Sequence, residues 1–333
     1  IGITIEWLLI LFIVFAFAIR FSAFQTYLGS IATSFFSKEL KADFKIGQID
    51  IVSFNKIILK DVFVKDQAND TLALLKSIDV RVKNLLVAKN KLVIRSIALN
   101  EGAIEIKRDK KSGDYNYWFI TDYFESGPST SKSNLRLEIN EIALKAVHVN
   151  YDDNRKGYST FGMDYDHLSC SNVYLKISNL IATNGNFYFT INHLHAREKC
   201  GFLLKHMQTN CVIIAGKGLF LNQLLVKTKR TRIYSHKFNL YAKTLAALQD
   251  IEDSVVFDAV IDSSRLDLKD VAFFGTSLEG MNQVVAFSGA LSRKVKNLKV
   301  SNVDLRFGKR SVVQGDFTIP DYRDVTNKPF KEI

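Results

Sequence analysis

The sequence predicts a mainly β protein: an elongated, U-shaped trough of antiparallel strands, preceded by a membrane-spanning helix and a second, amphipathic helix. Three observations predict it. The first nineteen residues are almost wholly apolar, apolar and polar residues alternate from about residue 44 onward, and the alternating part is too long for a small closed barrel. Composition sets the frame. The chain has 333 residues and a net charge of +11, and its 47% hydrophobic content excludes intrinsic disorder, which needs low hydrophobicity with high charge. Three prolines and 17 glycines exclude collagen-like and linker-dominated chains; three cysteines are too few, and odd in number, for a disulfide scaffold. The chain opens on Ile rather than Met, so its true start is expected upstream.

Residues 1–20 read as the anchor. From Ile1 to Ile19 the only charge is Glu6, and Trp7, Leu8, Leu9, Ile10, Leu11, Phe12, Ile13, Val14 and Phe15 begin an unbroken apolar run. About 19 residues at ~1.5 Å each give roughly 28 Å, close to the hydrocarbon thickness of a bilayer. A signal peptide is the rival reading, but no small-x-small cleavage site comes after Arg20, so an uncleaved anchor is expected. Arg20, Lys38 and Lys41 favour a cytoplasmic far side, yet long domains translocate largely regardless of charge. Local charge leaves the orientation open.

Residues 21–43 read as an amphipathic helix. Phe24, Tyr27, Leu28, Ile31 and Phe35 recur at helical spacing, while Ser30, Thr33, Ser34 and Ser37 fall largely off that stripe. Such a helix lies on lipid headgroups, plugs the end of the strand region, or packs on the first strands.

From residue 44 to 333 the period changes to two. Ile78–Lys83, Ala103–Lys107, Leu135–Ile139, Asn186–Thr190, Val255–Ala259 and Val303–Phe307 each alternate, giving strands with one oily and one wet face. That pattern predicts antiparallel sheet, not the all-apolar strands of a parallel core. Helical spacing recurs only around Phe202–Met207 and Thr244–Leu248. The phrase Ile57-x-Leu59-x-x-Val62-x-Val64 returns as Ile142-x-Leu144-x-x-Val147-x-Val149, and looser copies near Ile97 and Leu180 suggest divergent hairpin units at roughly 40-residue intervals. Glu125–Asn134 is the most loop-like stretch.

Length then limits the architecture. About 290 residues at ~10 to 11 per strand and turn make some 26 to 28 strands, a sheet on the order of 125 to 135 Å long. Open sheets of that length curl or split, and a curled sheet must cover its oily face or hold something apolar. The candidate groove lining is Ile78, Val80, Val82, Ile104, Ile106, Leu135, Leu137, Ile139, Val147, Val149, Phe187, Phe189, Phe257 and Leu305.

Several phrases carry a family resemblance: Gln25-Thr26-Tyr27-Leu28; Phe44-Lys45-Ile46-Gly47-Gln48-Ile49-Asp50-Ile51; the run from Phe54 to Asp66; Arg197-Glu198-Lys199-Cys200-Gly201-Phe202; and Lys296-Asn297-Leu298 with Asn302–Gly308 beyond it. In their order and spacing they resemble the amino-terminal part of the TamB family, within the AsmA-like superfamily of bridge-like lipid transfer proteins. Cys200 stands where that family's phrase has a small polar residue. The resemblance implies a β-taco with a continuous hydrophobic groove, anchored in the inner membrane with its amino terminus in the cytoplasm and its body in the periplasm. It implies phospholipid carried toward the outer membrane and, through parts absent from this chain, an Omp85-type outer-membrane partner. The alternative is a structural tether or assembly factor for that machinery, offering sheet edges to partner strands.

No enzyme chemistry, cofactor or metal is expected. There is no P-loop, G-x-S-x-G or G-x-G-x-x-G. His193-x-His195-x-x-Glu198-x-Cys200 has zinc-ligand residue types but no second pair at finger spacing. Asp152, Asp153, Asp164, Asp166, His167 and Asp258 read as solvated turn and strand-edge residues. Cys170, Cys200 and Cys211 allow one disulfide whose pairing stays open. The basic runs Arg108–Lys111 and Lys227–Arg232 sit at expected turns, where solvation comes first and attraction to anionic headgroups second; nucleic acid is not an expected partner.

Overall fold

The computed structural model describes residues 22–53, 55–83, 91–120, 136–183, 186–244, 247, 251–274, 280, 282–308 and 310–320. The expected anchor, the 125–134 loop and Leu135 lie outside these residues, as does most of the helix expected at Thr244–Leu248. Among the described residues, no helix is long and apolar enough to cross a membrane.

Among the described residues, fourteen strands, hydrogen-bonded in sequence order, form one mixed sheet that does not close. They are β1 (Phe44–Ser53), β2 (Lys56–Lys65), β3 (Thr71–Val82), β4 (Lys91–Arg108), β5 (Arg136–Asp153), β6 (His167–Thr183), β7 (Asn186–Glu198), β8 (Leu203–Ile214), β9 (Gly218–Lys227), β10 (Arg232–Tyr241), β11 (Val256–Asp267), β12 (Val284–Arg293), β13 (Asn297–Phe307) and β14 (Ser311–Pro320). Among the described residues are the helices α1 (Ser22–Leu40), α2 (Ile251–Ser254) and α3 (Leu268–Ala272), and residues 118–120 are also helical. The chain divides into two compact units, one of Ile1–Tyr158 with Tyr165–Tyr174 and the other of Ser159–Asp164 with Leu175–Ile333.

Three expectations are corrected. The sheet is not purely antiparallel: β4 and β5 run parallel, from Lys91 opposite Arg136 to Arg108 opposite Asp153. Parallel neighbours need a long crossover, and 27 residues separate Arg108 from Arg136; alternation reports which face a side chain takes, not the direction of the neighbouring strand. Residues 203–207 are not helical but open β8, where pairing with β7 and β9 overrides a short apolar spacing that fits either period. Finally, the strands are fewer and longer than expected, between 10 and 18 residues.

The reason is that the repeated phrase is not a hairpin. Ile57–Val64 lies within β2 alone and Ile142–Val149 within β5 alone. The two residues between the apolar pairs include one extra, left-handed residue, Asp61 (φ 51°) or Ala146 (φ 53°), called a bulge below; the strands beside it skip a residue at the same level, so the register does not shift. One extra residue in a strand returns the next side chain to the face it would otherwise leave, so an apolar pair three apart keeps one face. In the first unit the extra residues stand at one level across five strands. Leu59 and Val62 face Ile49 and Ile46 on one side and Ile78 and Leu75 on the other, with Leu99 and Gly102 next, then Leu144 and Val147. Gly47, Asp61, Lys76, Glu101 and Ala146 are the residues skipped. Gly102 is obligatory there: its φ is +141°, and a Cβ would lie 2.0 Å from the Leu74 carbonyl oxygen. A comparable line crosses the second unit through Leu221/Leu224, Ser235/Phe238, Ile261/Ser264 and Val300/Val303, with Gln223 and Asn302 left-handed.

Helix α1 covers the free edge of β1, and it does so with its polar side. Ile46 N–H donates to Thr33 Oγ1 at 3.0 Å, Phe44 N–H to Ser37 Oγ at 3.0 Å, and Gln48 Nε2 to Gln25 Oε1 at 2.7 Å. Gly29 completes this row of every fourth residue; a Cβ there would sit 3.1 Å from the Ile46 carbonyl. The hydroxyls satisfy edge amides that would otherwise invite another strand. From the expected apolar stripe, Tyr27 and Ile31 are left 61% and 48% exposed.

Candidate functional site

The candidate site is the apolar face that the bulges preserve. In the first unit, cross-strand neighbours from β1 to β5 make four rows: Phe44–Val64–Ala73–Ile104–Val149, Ile46–Val62–Leu75–Gly102–Val147, Ile49–Leu59–Ile78–Leu99–Leu144, and Ile51–Ile57–Val80–Ile97–Ile142. A shorter fifth row is Val82–Ile94–Ile139. No charged residue enters these rows. The opposite face is polar and internally paired: Asn100 Nδ2 donates to Ser77 Oγ and Asp79 Oδ1, both at 3.0 Å, and Lys60 meets Asp50 at 2.6 Å.

The two ends of this face differ. Around Val62, Val64, Leu75 and Val147 it is sealed by Leu40, Ala42, Tyr117, Phe119 and Ile120, and Val147 is 0% exposed. Beyond the seal Ile106 stands opposite Tyr151, whose hydroxyl is pushed up to about 12 by burial and by Tyr115. There Asp153, 1% exposed, receives Arg155 Nε at 2.8 Å and Nη2 at 2.6 Å, with Arg108 at 3.7 Å. The Arg155 hydrogen bonds hold the Asp153 carboxyl down to about 2. At the other end Ile51, Ile57, Val80, Val82, Ile94, Ile97, Ile139 and Ile142 are only half-buried.

In the second unit one apolar row runs through eight strands, Phe189–Cys211–Leu221–Phe238–Ala259–Leu291–Val300–Phe317. Beside it Phe187–Ile213–Leu219–Leu240–Phe257 crosses five strands before meeting Arg293. On the other side of the bulge line lies Phe287–Leu305–Val313. Ser235 and Ser264 also stand on this face, and both are satisfied: Ser235 Oγ donates to the Lys237 carbonyl at 2.7 Å, and Ser264 Oγ accepts from Tyr234 N–H at 3.0 Å.

The expected lining residues therefore separate. Val80, Val82 and Ile139 line the half-open end in the first unit, Ile78, Ile104, Val147 and Val149 belong to its sealed core, and Ile106 lies past it. Phe187, Phe189, Phe257 and Leu305 share the face of the second unit, Phe187 being the most exposed of them. Leu137 belongs to β5, but its side chain lies outside the described residues, and Leu135 lies outside them altogether. Missed were Leu59, Leu99 and Leu144 and, in the second unit, Leu221, Phe238, Leu240 and Val300. A three-residue apolar spacing marks Leu59, Leu144, Leu221 and Val300, and at Leu59 and Leu144 it read as part of a hairpin unit.

The other candidates dissolve into structure. Asp153, Asp164 and His167 are buried, not solvated as expected. Asp164 Oδ2 accepts from Ser159 N–H at 2.8 Å, and His167 stacks on Tyr158. His193 Nδ1 lies 2.7 Å from His206 Nδ1, and burial lowers its pKa. Glu198 accepts from Cys200 N–H. Among the described residues, no three His, Cys, Asp or Glu side chains group to hold a metal. Cys170, Cys200 and Cys211 form no disulfide, and burial pushes the Cys200 and Cys211 thiols up to about 11.

Comparison of the chain with protein-family models, curated proteins and solved structures gives no match.

Proposed function

We propose that this chain is the membrane-anchored end of a conduit that carries phospholipid along the apolar face of its sheet, with the body in the periplasm and transfer directed toward the outer membrane. The observation that carries the reading is the continuity of that face within each unit. Apolar rows cross five strands in one unit and eight in the other, and each bulge line returns the alternation to the same side. Bulges also bend and twist the strands that hold them, which favours a sheet curled about its oily side as a β-taco. The sequence phrases that resemble the TamB family, and the apolar run within residues 1–20, support the membrane end of the proposal.

The mechanism is solvation. An acyl chain in water costs about 0.8 kcal/mol per CH₂, or ~12 kcal/mol for a chain of about 16 carbons. Successive rows of Ile, Val, Leu and Phe offer the same environment from strand to strand. No position is then a deep trap, and a lipid can slide with its headgroup in water. Partner proteins or a lipid gradient supply direction.

The test is photo-crosslinking in cells, from Val80 and Phe257 on the apolar face and from Lys60 on the polar one. Phospholipid adducts at the first two positions and none at the third are expected. Val80→Glu or Ile139→Arg should block lipid transfer while the sheet still forms. A clean crosslinking blank at Val80 and Phe257 removes the conduit and leaves the tether.

A further inference from the structure

We propose that the polar face of the second unit carries a binding site for a ligand with two or more phosphate groups, built on β9, β10, β11 and β13 and on the turns that end them. The site rests on cross-strand register. Arg232 stands directly opposite Lys227 on β9 and Arg265 on β11. The same line continues through Ala286 to Arg306 and then Val312. Each of these cations alternates with an apolar-face neighbour, Val226, Ile233, Leu266 and Leu305, so the row lies on the other side of the sheet from the apolar rows. It is independent of the conduit reading.

Facing like charges on adjacent strands lie about 5 Å apart and destabilise the sheet. Here three stand side by side, and the nearby carboxylates are committed elsewhere. Asp304 chelates Arg306 through Nε and Nη2, both at 2.8 Å. Asp267 pairs with Arg230 at 3.0 Å. Asp270 accepts from both Thr228 Oγ1 and Thr231 Oγ1. Among the described residues, Lys227, Lys229, Arg232, Arg265 and Arg310 have no carboxylate at ion-pair distance. All five line a cavity of about 1100 Å³.

The turn that carries Lys229 and Arg230 is also held in place. Thr228 and Thr231 are buried, Thr231 Oγ1 accepts from Asp267 N–H at 3.0 Å, and Thr228 Oγ1 accepts from Thr231 N–H at 3.0 Å. A solvated turn needs no such clip. Guanidinium forks match phosphate oxygens in bidentate fashion. Five uncompensated cations exceed what one carboxylate or one phosphate neutralises, and their spread over several strands matches phosphates set apart on one ligand. A phosphorylated soluble metabolite and a diphosphate lipid headgroup share this chemistry.

Binding of the full chain to inositol hexakisphosphate, and separately to vesicles of phosphatidylcholine with cardiolipin, tests the site at near-physiological salt. Binding to either probe, weakened tenfold or more in the Arg232→Ser/Arg265→Ser double variant and unchanged in Lys217→Gln, is expected. Preference for the free phosphate identifies a soluble ligand, and preference for the vesicles identifies a headgroup. Arg232→Ser alone should raise the ligand-free melting temperature by about 1 to 3 °C as the like-charge contacts disappear. Absence of binding to both probes overturns the site. So does an equal loss in Lys217→Gln, which would reduce the effect to net charge.

Discussion

Deleting Ala146 tests the role of the bulges most directly. Ala146 is the extra residue of β5, left-handed at φ 53°, between Leu144 and Val147, which share a face. Without it, strict alternation turns Val147 and Val149 toward the polar side and drives His148 and Asn150 into the core. Val147 is fully buried and Val149 packs in the same cluster. Exposing two valines costs about 3 to 6 kcal/mol. Asn150 loses its bonds to Glu105 Oε1 and Oε2, now 2.8 and 3.0 Å, and it and His148 enter an apolar core at about 1 to 3 kcal/mol each. The total, ~5 to 12 kcal/mol, is comparable to the whole stability of a domain. The deletion is therefore expected to abolish folding or to lower the melting temperature by more than about 10 °C in far-UV circular dichroism. Ala146→Gly keeps the extra residue and relieves about 1 kcal/mol of left-handed strain, partly offset by the freedom glycine gains on unfolding, so it should melt within about 3 °C of the parent. A deletion variant that melts within that same margin would refute the reasoning.

Three further outcomes rest on particular contacts. Gly102→Ala should cost more than about 3 kcal/mol in chemical denaturation, because the new Cβ would meet the Leu74 carbonyl oxygen at 2.0 Å in a backbone conformation that side chains disfavour; a loss below about 1 kcal/mol would contradict it. The Asp153 carboxyl, held at about 2 against an ordinary 3.8, contributes about 2 kcal/mol above pH 4, and this is lost as pH falls through about 2. Asp153→Asn should thus be less stable at neutral pH by about that amount, with the gap closing in acid; a constant gap from pH 7 to 2 would point to packing instead. Cys200 and Cys211, pushed up to about 11, should react with iodoacetamide at pH 8 about a hundredfold more slowly than an ordinary thiol, and labelling at the ordinary rate would show that their burial is transient.

Much of the fold was legible in the order of residues. Alternation at Ile78–Lys83, Asn186–Thr190 and Val303–Phe307 placed strands where β3, β7 and β13 lie, and Val80, Phe257 and Leu305 stand opposite apolar residues of neighbouring strands. What misled was local. The x-x of Leu59-x-x-Val62 carries Lys60 and Asp61, and that of Leu144-x-x-Val147 carries Lys145 and Ala146. Left-handed backbone at Glu101 or Ala146 is not written in residue types that favour it, whereas Asp61, Asn172, Asn179 and Asn302 are more readily read. The cationic row had no sequence signal beyond its turn, since Lys227, Arg265 and Arg306 come together only through register.

By itself, then, the order of residues determined which side chains are apolar and with what period, and hence that long, one-faced strands must form. Tertiary pairing alone decided that five neighbouring strands carry their extra residue at one level, that β4 and β5 run parallel, and that α1 seals an edge with its hydroxyls. The physical reason is that period is a property of one strand, while register, direction and the tolerance of a left-handed residue are set by the hydrogen bonds and packing of the strands beside it.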